Sequence, residues 1–275
     1  MATARKLETN GTLEIAMMDV DGQKLRVGVR QGPKGKPPLL MFNGIGANLE
    51  LGQPFIEALE DTGAIIFDVP GIGGSPAPSF PYRPSSLARL AKQLVTSLGH
   101  DQVDVSGVSW GGGMAQQFAF QYSGLCRKLV LAATSSGFTM VPGKPNVLAK
   151  MANIRRYTDK GYMRSIAAEI YGGDFRKDPT LIDRHAGAMK GATNTGYALQ
   201  LLAMTGWTSL PWLWMLRQPT LVMAGNDDPL VPLANAKLLA TMIPGARLEV
   251  LDDGHLFLVT RPQESARMIE QFLHG

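Results

Sequence analysis

Val103-Asp104-Val105-Ser106-Gly107-Val108-Ser109-Trp110-Gly111 joins an apolar run to a serine set between two glycines, and Met114 to Tyr122 continues as an apparent helix. A serine at a strand-to-helix turn needs small neighbours, because strand and helix approach closely there. The turn lifts the hydroxyl above the end of the strand, and the helix N-terminus behind it favours developing negative charge. Outward from this point the pattern repeats. Short apolar runs bounded by turn residues occur at Leu39 to Phe42, Ala64 to Val69, Leu129 to Ala133, Thr220 to Ala224 and Leu248 to Leu251. Runs of this length suit strands of a parallel sheet covered on both faces. Helical spacing lies between them, at Phe55 and Leu59, Leu87 to Leu98, Leu233 to Ile243 and Met268 to Phe272. Ser85 or Ser86 is the expected cap of the second of these helices, and Gly99 its end. Asp21-Gly22, before the alternating Leu25, Val27 and Val29, predicts an N-terminal hairpin. Strand and helix alternate, which predicts an α/β fold with a mostly parallel, twisted sheet flanked by helices.

The alternation stops between about Ser135 and Gln218, where Met140, Met151, Met163, Met189, Met204 and Met215 occur with Trp207, Trp212 and Trp214. About eighty residues are too many for a structureless loop in a compact domain. Residues 135–218 are therefore expected to form a mostly helical lid insertion in a core domain made of residues 1–134 and 219–275. Its Met and Trp residues suit an ordinary helical core, an adaptable apolar wall over a site, or both. Composition excludes several classes. With 45% hydrophobic and 18% charged residues in 275, the chain can bury a full core and is not intrinsically disordered. One cysteine, Cys126, excludes a disulfide scaffold and a thiolate zinc site, and fits a reducing compartment. The net charge of +4 is spread over scattered Lys and Arg, which argues against nucleic-acid binding. No run of apolar residues is long enough for a transmembrane segment, and polar Met1 to Gly11 does not read as a secretory signal.

A serine hydroxyl is a poor nucleophile without a base. Of the four histidines, His274 sits beside the C-terminus and is expected to fray. His100 precedes the strand leading to Ser109, at the opposite edge of the sheet. His185 lies in the insertion, placed to overhang the site but without rigid support. His255, in Asp252-Asp253-Gly254-His255, follows a strand and emerges at the same edge as Ser109, so it is the expected base. The imidazole needs an acid to fix its tautomer. Gly225-Asn226-Asp227-Asp228-Pro229 follows the strand Thr220 to Ala224 at that edge, and Asp228 is chosen, with Asp227 as the competitor. Asp252 and Asp253 are too near His255 in the chain and shape the turn instead. Asn43-Gly44-Ile45-Gly46, after Leu39 to Phe42, can aim a backbone N–H at the serine. The oxyanion donors are read as Ile45, within one position, and Trp110. Gly71-Ile72-Gly73-Gly74 lacks the Lys-Ser/Thr ending of a phosphate loop and is read as structural. This chemistry calls for no cofactor and no metal.

The strings Phe42 to Leu51, Gly107 to Gly112 with Ala115 to Ala119, Met140 to Pro145, and Asp252 to Leu258 narrow the reading further. Together with the order Ser109, Asp228, His255, they resemble the α/β-hydrolase superfamily and, within it, the intracellular medium-chain-length poly(3-hydroxyalkanoate) depolymerases. The resemblance runs from about residue 12 to residue 273. Gly113-Met114 in the helix after the serine is a small departure that touches no triad residue. The resemblance implies a serine esterase that cuts polyesters of 3-hydroxy acids, located in the cytoplasm on storage granules, with the granule surface or an ester as its partner. The same triad leaves open a small-molecule carboxylesterase or a carbon–carbon bond hydrolase. Halide and epoxide chemistry in this fold uses aspartate at the elbow, and related polyester synthases use cysteine there, so Ser109 speaks against both.

Overall fold

The computed structural model describes residues 13–153, 155–188 and 193–275. Polar Met1 to Gly11 and Met189 lie outside these residues. The chain opens with the expected hairpin of β1 (Glu14–Val20) and β2 (Gln23–Arg30), with Asp21 and Gly22 both at positive φ in the turn. It continues through β3 (Leu39–Phe42), α1 (Leu49–Ala58), β4 (Ala64–Phe67), α2 (Pro84–Ser97), β5 (Val103–Val108), α3 (Trp110–Gln121) and β6 (Cys126–Ala132). Only helical elements follow before the next named strand. They are α4 (Pro145–Ala152), α5 (Arg155–Thr158), α6 (Lys160–Tyr171), α7 (Asp174–Lys177), α8 (Pro179–Ala188), α9 (Asn194–Met204) and a 3-10 turn, Leu210–Met215. The alternation resumes with β7 (Thr220–Gly225), α10 (Leu233–Met242) and β8 (Arg247–Leu251), and ends with α11 (Phe257–Thr260) and α12 (Pro262–His274).

The eight strands form one sheet in the order β1-β2-β4-β3-β5-β6-β7-β8. From β4 to β8 all neighbours are parallel, while β1 and β2 are antiparallel additions. The central strands are buried on both faces, as their largely apolar sequences suggest. Edge strands β1 and β8 are not covered in this way and expose most of their residues. One apolar layer lies under α2, α3 and α10, and a second under α1, α11 and α12. A third cluster, including Val147, Met163, Ile170 and Phe175, lies among the helices between β6 and β7 and takes Leu230 from the loop after β7.

Two local expectations are corrected. The N-cap of α2 is Arg83, not Ser85 or Ser86, because Pro84 takes the first helical position and suits it. Ser86 instead sits at the third position, where its hydroxyl accepts from the Arg83 N–H at 2.9 Å. His274 is not frayed. It closes α12, and its Nε2 lies 3.0 Å from the Thr62 hydroxyl.

Strand order reverses at β3, since β4 lies on one side of it and β5 on the other. The loops leaving β3 and β5 therefore diverge and open a crevice at the carboxyl ends of these two strands. Asn43 to Gly46 and Ser109 both sit there.

Candidate active site

Ser109 is held at φ 54°, ψ −118°, between the end of β5 and the start of α3. Residues other than glycine rarely adopt this conformation, and it persists only where the surroundings enforce it. Here the glycines on either side do so. A Cβ on Gly107 would lie 2.2 Å from the Gly111 carbonyl oxygen, and one on Gly111 would lie 2.1 Å from that of Phe42. The Ser109 N–H donates to the Ala132 carbonyl at 2.9 Å, and the Thr134 hydroxyl donates to the Ser109 carbonyl at 2.6 Å. The position of Ser109 is thus fixed from β3, β6 and the loop after β6.

His255 and Asp228 meet. Nδ1 of the imidazole lies 2.7 Å from Asp228 Oδ2, with both side chains almost fully buried. Because a carboxylate only accepts, Nδ1 carries the proton and Nε2 has its lone pair available. Asp228 Oδ1 accepts from the N–H groups of Leu230 and Val231, each at 2.9 Å, which locks the carboxylate across Pro229. Asp227 points elsewhere. Its half-exposed carboxylate accepts from the Gly173 N–H at 2.8 Å and pairs with Arg176. Asp253 is buried and takes the N–H groups of Gly254 and Asp174 at 2.6 and 2.8 Å. The His255 N–H in turn donates to the Tyr171 carbonyl at 2.7 Å, so the histidine loop is tied to the end of α6. The Tyr171 ring stacks parallel to the imidazole, with centroids 6.4 Å apart.

In the turn after β3, a Cβ on Gly44 would lie 3.8 Å from Ser109 Cβ. The Gly46 N–H is engaged by Gln200 Oε1 at 2.6 Å. That bond ties the turn after β3 to α9. Gly71 to Gly74 forms a cradle for the buried Asp68. That carboxylate accepts from the N–H groups of Leu49 and Gly74 at 2.7 and 2.8 Å and from Arg26 at 3.2 Å.

Two apolar cavities of unequal size meet at Ser109, and both are also lined by Ile45 and Met151. The smaller carries His255, Tyr171, His185 and Arg156 on its wall. The larger carries Trp110, Thr134, Phe138, Met140, Leu201 and Met204. Sequence reasoning missed three of these contributors. Gln200, Thr134 and Arg156 belong to no motif, and each meets the site only through tertiary contacts. His185 corrects the expectation that it lacks support. It is 5% exposed and packs edge-on to Tyr171 and Phe175, with centroids 5.2 and 5.6 Å away. Burial, and secondarily the charge of Arg156, hold its pKa down to about 4. Among the described residues no group of His, Cys, Asp and Glu is arranged to hold a metal ion.

A buried His–Asp pair and a strained serine at the switch point of a mostly parallel sheet are the arrangement of an α/β hydrolase. A family model described as alpha/beta hydrolase fold matches residues 37–262, and the chain belongs to that family. Within it, the chain is 54% identical over 257 residues to the poly(3-hydroxyalkanoate) depolymerase of Ectopseudomonas oleovorans, spanning 93% of this chain and 91% of that one. It is 26% identical to 3-oxoadipate enol-lactonase 2 of Acinetobacter baylyi, over 87% and 89% of the two chains. Among solved structures, the enol-lactonase of Burkholderia xenovorans superposes with a TM-score of 0.81 at 22% identity, covering 94% of this chain and 100% of that one. That last likeness speaks for the fold alone.

Proposed function

We propose that the protein is a serine hydrolase that cleaves the ester bonds of medium-chain-length poly(3-hydroxyalkanoate) and its oligomers. The observation that carries this reading is the 54% identity to the depolymerase across nearly the whole length of both chains. The local geometry supports it. His255, with Nδ1–H held by Asp228, takes the proton of Ser109 Oγ as the oxygen attacks the ester carbonyl. The N–H groups of Trp110 and Ile45 receive the oxyanion, helped by the N-terminus of α3. His255 then gives its proton to the departing 3-hydroxyl, and water hydrolyses the acyl-enzyme with His255 again as base. The apolar walls of both cavities suit alkyl side chains.

Residues 135–218 act as a lid in this reading. The lid also faces the polymer. Phe138, Val141, Leu201, Leu202, Trp214 and Met215 are large apolar side chains exposed to solvent, with Phe138 77% and Trp214 55% exposed. Phe138 and Leu201 also line the larger cavity, so the apolar surface runs up to its mouth. Such patches mark contacts with apolar surfaces. A storage granule in the cytoplasm is the surface this reading assigns. Among the described residues no helix is long and apolar enough to cross a membrane.

The test is side-by-side hydrolysis of amorphous poly(3-hydroxyoctanoate) particles, poly(3-hydroxybutyrate) particles and short p-nitrophenyl esters. Cleavage of the octanoate polymer with little on the butyrate polymer is expected. Cleavage of the small esters alone would overturn the polymer reading and leave a small-molecule esterase.

A further inference from the structure

The two cavities flanking Ser109 differ in more than size. The leaving oxygen of an ester must lie within hydrogen-bond reach of the histidine that protonates it. His255 lines only the smaller cavity, so that cavity receives the leaving group. The acyl portion then extends past Trp110 into the larger, more open one. A plain apolar leaving group would be served by Met41, Leu51, Phe55 and Leu258, which also line the smaller cavity. Yet its wall holds two groups that an alkyl chain does not need. One is Arg156, a cation at any accessible pH, only 2% exposed. Its Nη1 and Nη2 lie 3.4 Å from the phenol oxygens of Tyr171 and Tyr197. The other is His185, whose ring nitrogens are both buried without a hydrogen-bond partner. Among the described residues no Asp or Glu lines this cavity. Buried polar atoms are paired in nearly all native structures, and a doubly unpartnered imidazole on a cavity wall points to a polar ligand.

Resting on the polyester reading above, we propose that the smaller cavity is a carboxylate-recognising leaving-group site. Arg156 and His185 hold the free carboxylate of the last 3-hydroxy-acid unit of a chain, and the enzyme removes units from that end. The chemistry of the substrate fits. In a terminal unit the carboxylate carbon is three bonds from the leaving oxygen, and its alkyl branch starts at the carbon bearing that oxygen. His255 and His185 pack on the same Tyr171 ring, one stacked and one edge-on, which sets the proton donor and the carboxylate site on neighbouring parts of one wall. The branch is left to the apolar residues. In the step itself, a bond forms between Ser109 Oγ and the penultimate carbonyl carbon, and that carbon's bond to the 3-oxygen breaks. The serine proton passes through His255 to that oxygen, and a 3-hydroxyalkanoate leaves with its carboxylate unchanged. Water then frees the shortened chain, which carries a new carboxylate at its end.

The experiment compares kcat/KM for the linear dimer of 3-hydroxyoctanoate as free acid and as methyl ester, in the wild type and in Arg156→Gln. A charged hydrogen bond lost on esterification lowers kcat/KM by about tenfold or more. The wild type is therefore expected to favour the free acid by at least that factor, and the ratio is expected to collapse towards one in Arg156→Gln. Independently of any variant folding, 3-hydroxyoctanoate is expected to inhibit p-nitrophenyl ester hydrolysis by the wild type more strongly than its methyl ester does. Equal rates on the two dimers, or equal inhibition, would overturn this proposal while leaving the polyester reading intact. Hydrolysis of p-nitrophenyl esters with neither dimer cleaved would overturn both.

Discussion

His185 provides a stability switch whose size follows from its surroundings. The imidazole is enclosed between Tyr171 and Phe175, has no partner on either nitrogen, and is neutral in the folded protein down to about pH 4. In the unfolded chain it takes a proton near the ordinary histidine value of about 6.5. Between these values the unfolded state binds a proton that the folded state refuses, so stability falls as pH falls. The contribution is complete above about pH 6.5 and is lost progressively on acidification towards pH 4. Integrating the two titrations from pH 7 to pH 5 gives a loss of about 2 kcal/mol from this one residue. Carboxylates and other histidines add their own slopes, so the measurement is a difference. Urea unfolding of the wild type and of His185→Phe at pH 7 and pH 5 separates them. The wild type is expected to lose about 2 kcal/mol more than the variant over this range, because phenylalanine cannot titrate. An equal loss in the two proteins would show that His185 is not buried neutral, and the reasoning from its packing would fail.

Ser109→Ala is expected to lower kcat by several orders of magnitude, and adding His255→Ala is expected to cost little more, because the two act as a unit. Near-additive losses in steady-state assays would separate them. Gly111→Ala places a methyl group 2.1 Å from the Phe42 carbonyl oxygen, where only backbone movement relieves the clash. It is expected to cost about 3 kcal/mol, seen as a melting temperature several degrees lower, and to displace Ser109. An unchanged melting temperature would remove the steric account of that glycine.

The strands were legible where composition and burial agree. Leu39 to Phe42 and Val103 to Val108 are buried on both faces, so a wholly or largely apolar run coincides with the strand. β6 begins three residues before its apolar run, at Cys126, which pairs with Val103, while Arg127 and Lys128 fall in a shift of register before Leu129 pairs with Val105. Arg127 is stabilised there by two hydrogen bonds to the buried Asp104, at 2.8 and 2.5 Å, a contact that no periodicity reveals. That Ser109, Asp228 and His255 stand at one edge of the sheet was legible, because each follows a recognisable strand, and loops at one edge converge whatever their separation in the chain. Asp228 over Asp227 was legible through Pro229, which restricts the residue before it. Gln200 and Arg156 were not. They stand on helices whose apolar spacing says which face packs, but nothing about which part of the core that face meets.

The join between Tyr171–Asp174 and the histidine loop bears on how such proteins can be recombined. Gly173 and Asp174 donate to Asp227 and Asp253, the His255 N–H donates to Tyr171, and Arg261 bonds Asp174 at 2.9 Å. A Cβ on Gly254 would meet the Tyr171 carbonyl oxygen at 2.0 Å, so the two strings interlock at the level of the backbone. A chimaera cut at Ser135 and Gln218 would bring in a foreign partner for the very loop that carries the imidazole. The natural unit of exchange between relatives is therefore discontinuous. It comprises the inserted helices together with residues 225–261, and a library built on it would trade cavity shapes without unseating the histidine.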